Sequence, residues 1–163
     1  MKFPKYLKPV LVMMMILPWF SVPLIGREAF KRFLPASLFI AVIVRIVNFI
    51  AQKRRWWWWY ETLHPRISGI TPFMLGPFLV GSLWILKWTY GNFTRYMLLN
   101  LGVDGAFTYG LVYYLQKAGI ASLVRLKKIN LLLLFTLEAL LLYGFQFFKE
   151  RFFQDDRYRR NSN

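Results

Sequence analysis

Cysteine is absent from this 163-residue chain, histidine occurs once, and acidic residues number 7 against 22 Lys and Arg. The missing cysteines exclude disulfide frameworks, thiolate metal sites and cysteine nucleophiles. A lone histidine excludes a multi-histidine metal centre within one chain. No P-loop, HExxH pair, glycine-rich dinucleotide fingerprint or Ser/His/Asp set is present. The expectation is therefore a non-enzymatic protein with no metal and no cofactor. His64, beside Pro65, reads as an ordinary loop residue. Met13, Met14 and Met15 are adjacent and would spread around a helix, so they read as apolar packing rather than a copper site.

What is present is apolar. Hydrophobic residues make up 57% and aromatics 20% of the chain, and mean hydropathy is +0.38. A soluble domain carries about 45–50% apolar residues. Hydrophobic runs recur at 9–25, 34–51, 72–88, 96–115 and 129–148, separated by short charged segments and followed by a charged tail at 149–163. A helix of ~20 residues crosses a ~30 Å hydrocarbon core. The fold class expected is an all-α integral membrane protein, a single domain bundling about five transmembrane helices. The first run carries Pro9, Pro18 and Pro23 behind Lys2, Lys5 and Lys8. It reads either as a spanning helix kinked at Pro18, or as an interfacial, re-entrant or signal-like segment beside four spans. With five spans the cations divide almost evenly between the two sides, which leaves the positive-inside rule nothing to act on.

Polar residues inside the runs are the candidate site. Arg45, Asp104 and Glu138 each stand near the middle of a hydrophobic segment, where a charge costs about 2.5–3.5 kcal/mol on insertion scales. Arg45, Asn48 and Gln52 share one helical face, as do Asn100, Asp104 and Thr108. The expectation is a midplane polar cluster of Arg45, Asn48, Asn100, Asp104 and Glu138, with Arg45 bridging to a carboxylate. Such a cluster either pins helix register or marks an ion, proton or solute path. Gly102, Ala106 and Gly110 form a small-residue stripe almost opposite, the pattern that lets helix backbones approach closely. The run 96–115 is accordingly expected at the centre of the bundle. Gly76-Pro77 is expected to kink or break the third helix.

The segment KRRWWWWYETLHPR combines cations with Trp56, Trp57, Trp58, Trp59 and Tyr60. With a net charge of +15, nucleic acid is one conceivable partner. On a helix, however, four adjacent tryptophans point all around the axis and form no stacking groove. An interfacial anchor is expected instead, with Lys and Arg reaching anionic lipid headgroups and no nucleic acid bound.

The stretch RFLPASLFIAVIVRIVNFIAQ, the stretch WWWWYETLHPRISGITPFMLGPFLVGSLWILKWTYGNF and the run LVRLKKINLLLLFTLEALLLYGFQ together resemble a family of small multi-pass membrane proteins from Bacillus-type Firmicutes. The resemblance spans roughly residues 27–148. It implies a location in the bacterial cytoplasmic membrane and carries over no activity and no catalytic residue. The function expected is that of an accessory or envelope component acting through helix–helix contacts, with a membrane-protein partner or as a homo-oligomer. The alternative is a small ion, proton or solute transporter or channel using the midplane cluster.

Overall fold

A computed structural model describes residues 7–60, 62 and 68–161, with Leu7 and those from 153 onward by backbone alone. His64 lies outside the described residues. The described residues are 82% helical. In order it forms α1 (Leu7–Ile16), a 3-10 turn (Leu17–Ser21), α2 (Val22–Ile25), α3 (Arg27–Lys53), β1 (Trp57–Trp59), α4 (Thr71–Phe73), a π-helical turn (Met74–Phe78) and α5 (Leu79–Thr89). Next come α6 (Phe93–Gly105), a second π-helical turn (Ala106–Leu111), α7 (Val112–Lys117), β2 (Ala121–Leu123) and α8 (Lys128–Asn161). Three stretches, Lys8–Ile25, Arg27–Lys53 and Lys128–Phe152, are long and apolar enough to cross a membrane.

The breaks have local causes. Pro18 opens the 3-10 turn, where it removes a backbone donor, and Ser21 donates its hydroxyl to the Pro18 carbonyl at 2.6 Å. Pro77 lies inside the first π-helical turn. Its ring clashes with the carbonyl four residues back, and the wider turn relieves that clash without ending the helix. Gly26 and Gly91 reverse the chain at φ +86° and +99°, a region in which a Cβ is strained.

The turns alternate between two ends of the molecule. At one end Lys87 Nζ donates to the Leu24 carbonyl at 2.8 Å, and Arg32 pairs with Glu150. At the other, β1 and β2 pair antiparallel with Trp57 opposite Leu123 and Trp59 opposite Ala121. There Leu11 packs with Leu115 and Ile120. The first segment therefore runs the length of the bundle beside the 71–78 stretch.

The core is a ring of helices in which α3 packs on α5, α5 on α6, α6 on α8 and α8 on α3. Ile40, Leu83, Leu86, Tyr96, Ala139 and Leu142 fill its interior. The expected central place for 96–115 is not found: α6 is one corner of the ring, and Leu98 on it is 66% exposed. Its row of Tyr96, Asn100 and Asp104 turns inward, which leaves Gly102 and Ala106 exposed on the opposite side.

The tryptophan segment does not continue the helix before it. Trp57–Trp59 is a strand, not a helical extension, and its alternation sorts the rings by side. Trp57 is buried, Trp59 half-buried, and Trp58 and Tyr60 exposed. The Trp57 Nε1 donates to Asn48 Oδ1 at 3.0 Å. The strand forms by pairing with residues 121–123, more than sixty positions ahead in sequence. Trp57 and Trp59 thus cap one end of the bundle, leaving Trp58 and Tyr60 as the outward aromatic pair.

Candidate functional site

Helical spacing carries three of the sequence-predicted polar residues to one place. Asn100 and Asp104, one turn apart on α6, and Glu138 on α8 line a common cavity of about 150 Å³. Its remaining wall includes Ile40 of α3, Phe73, Pro77 and Phe78 of the 71–78 stretch, Ser82 and Ile85 of α5, and Phe107 and Phe135 across from them. Both π-helical turns thus reach the same cavity. Phe73 and Phe107 meet with their rings tilted by 34° at 4.7 Å between centroids, and Phe107 meets Phe135 edge-on at 5.5 Å.

The polar groups differ in how they are satisfied. The Asn100 amide donates to the Tyr96 carbonyl at 2.9 Å, and the Ser82 hydroxyl to the Phe78 carbonyl at 2.8 Å. Glu138 is only 4% exposed, yet its Oε2 has no hydrogen-bond partner among the described residues. Thr108, one further turn along the α6 stripe, is fully buried with its hydroxyl likewise unpartnered. A buried polar group without a partner costs about 1–3 kcal/mol, and most native buried groups are paired. Glu138 also borders a second, apolar cavity of about 70 Å³ under Trp57 and Trp59.

Arg45 and Asn48 are not part of this arrangement. Arg45 is exposed on α3 and donates to Thr71 Oγ1 at 3.4 Å. Among the described residues it makes no ion pair with Asp104 or Glu138; the pair that forms is Arg32 with Glu150. The reason is rotational: Val44, Asn48 and Ala51 hold the inner face of α3, which points Arg45 sideways. Asn48, 2% exposed, sits between Trp57 and Ser68, donating to Ser68 Oγ at 3.1 Å. It ties the loop to α3 and does not join the carboxylates.

Sequence reasoning did not single out Ser82 or the four phenylalanines. No spacing rule marks a lone serine in an apolar run, and the rings come from three separate segments. Gly102, Ala106 and Gly110 lie on the outer side of the ring, and a Cβ on Gly102 or Gly110 would meet nothing within 4 Å. At the opposite end from the tryptophans, Arg32 holds both Glu150 oxygens at 2.5 and 2.8 Å. Gln146 donates to the same carboxylate, and Lys149 donates to the Arg32 carbonyl. Burial, then the Glu150 charge, pushes the neighbouring Tyr90 phenol up to about 12.

No protein-family model matches the chain, and neither a curated protein nor a solved structure does.

Proposed function

We propose that the chain is a multi-pass protein of the bacterial cytoplasmic membrane. It crosses the bilayer five times and acts, without enzymatic activity, through lateral contacts with other membrane helices. The observation that carries the role is the outward stripe of Gly102, Ala106 and Gly110. It is open to solvent or lipid, and small residues of this kind let a second helix approach closely. The setting is supported by the helix exteriors: Val42, Phe49, Leu133 and Leu137 are each more than half exposed, which suits hydrocarbon and not water. Lys53, Arg54, Arg55, Lys117, Arg125 and Lys128 surround the strand pair, where anionic headgroups would meet them at about 1 kcal/mol per cation. The resemblance to small membrane proteins of Bacillus-type Firmicutes supports the bacterial location.

The absence of native cysteine makes the test direct. Single cysteines at 102, 106 or 110 are expected to cross-link, in native membranes, to a second copy or to another membrane protein. A control cysteine at Val42, on the far side of the ring, is not. Equal cross-linking at both faces overturns the stripe as the contact.

One observation favours a second reading, a path for a small ion or solute through the bundle: Glu138 and Asp104 line a cavity that has no Lys, Arg or His in its wall among the described residues. Flux in liposomes that is lost in Asp104→Asn supports that reading; no flux under any imposed gradient removes it.

A further inference from the structure

We propose that the cavity between α3, the Met74–Phe78 turn, α5, α6 and α8 binds a small organic monocation, an alkylated ammonium, between the Asp104 and Glu138 carboxylates and the phenylalanine cluster. The inference gives the second reading a ligand class and rests on it only in taking this cavity as the site.

The sign of the ligand follows from the wall. Two carboxylates line the cavity and none of its lining residues is Lys, Arg or His, although the whole chain carries +15. Arg45, the one midsegment cation, is turned aside to Thr71. Glu138 is the independent pointer: it is 96% removed from solvent, with an oxygen that no group among the described residues satisfies.

The chemical class follows from what else the wall offers. A hard inorganic cation exchanges its hydration shell for about six oxygens held at fixed distances. Here the polar side chains are Ser82, Asn100, Asp104 and Glu138 alone. Asn100 and Ser82 are already tied to backbone carbonyls. The rest of the surface is hydrocarbon and aromatic ring. That combination satisfies a cation that carries its own methyl groups: it needs counter-charge on one side and apolar contact elsewhere. Phe73, Phe78, Phe107 and Phe135 supply ring surface, and a cation within about 6 Å of a ring centroid is attracted by the ring quadrupole. A volume of about 150 Å³ admits a methylated ammonium.

The test is equilibrium binding of radiolabelled tetramethylammonium to the purified full-length protein in mild detergent, with sodium chloride as competitor. Saturable binding is expected at one cation per chain, undisplaced by an equal concentration of sodium. Glu138→Gln, close in shape but without charge, should weaken binding by about tenfold or more, and Asp104→Asn in the same direction. Phe107→Leu should weaken it by a few-fold, about what one ring contact supplies. If Glu138→Gln does not fold, the wild-type selectivity and Phe107→Leu decide the matter alone. Absence of saturable binding to folded wild type, displacement by equal sodium, or unchanged affinity in folded Glu138→Gln each overturns the proposal. Binding without flux in liposomes keeps this site and removes the path; flux without ammonium binding does the reverse.

Discussion

Gly76→Ala tests the tightest surroundings that an added Cβ would meet at the glycines for which they are resolved among the described residues. Gly76 is buried in the π-helical turn Met74–Phe78, against the backbone of α1. A Cβ there would lie 2.8 Å from Met15 Cα and 2.9 Å from its carbonyl oxygen, with the Met14 carbonyl oxygen nearer still. Carbon atoms rest at about 3.5–4.0 Å, so α1 must retreat by roughly the difference, about 1 Å. These are backbone atoms, and no side-chain rotation relieves them. Overpacking of this kind costs about 1–3 kcal/mol. At about 2–4 °C per kcal/mol for a chain of this size, Tm should fall by roughly 2–12 °C. The control is Gly81→Ala, in α5 of the same segment, where an added Cβ meets nothing within 4 Å. There the better helix propensity of alanine should leave Tm unchanged or raise it, by up to about 1 kcal/mol. Thermal melts of the purified protein in one detergent, followed by circular dichroism, read both. If Gly76→Ala melts with wild type, or Gly81→Ala loses more than Gly76→Ala, the packing of α1 on this turn is refuted.

Tyr96→Phe removes a hydroxyl that donates to the Ala139 carbonyl at 2.7 Å from a fully buried ring. A loss of about 0.5–1.5 kcal/mol is expected, read as Tm. Asn48→Leu strands the Trp57 indole N–H at a cost of about 1–3 kcal/mol, and hydrogen exchange should rise first in residues 57–59; uniform exchange across the chain would contradict the tie. The Arg32–Glu150 pair, with side chains 52% and 21% exposed, should show a coupling of only about 0.2–1 kcal/mol in a double-mutant cycle, diminished by salt. Tyr90, raised from 10.0 to about 12 by burial and then by Glu150, favours the folded state fully below its unfolded value and loses that contribution as pH climbs through the folded one. The alkaline decline in Tm between about pH 10 and 12 should therefore be shallower in Tyr90→Phe.

Individual residues show how far the chain could be read in one dimension. The stripe of Asn100, Asp104 and Thr108 follows from spacing on any helix, and Glu138 stood out because a charge in an apolar run is costly wherever it lies. Pro77 announced its own disturbance, since a missing donor acts locally. Arg45 differs from these. Its partner depends on how α3 is rotated about its axis, and that rotation is set by Val44, Asn48 and Ala51 packing on other segments.

What the sequence determined by itself is the apolar, helical character of the chain, the absence of cysteine, and the position of each charge along its segment. All of these arise from composition and from a period of 3.6 residues, which need no distant contact. Only the tertiary structure decided that α6 is a corner and not the centre. It also decided that the tryptophans form a capping strand and that Glu138 faces a ring-lined cavity instead of a guanidinium. Each of these depends on which residues from remote segments meet, and side-chain periodicity along one helix holds no information about what stands opposite.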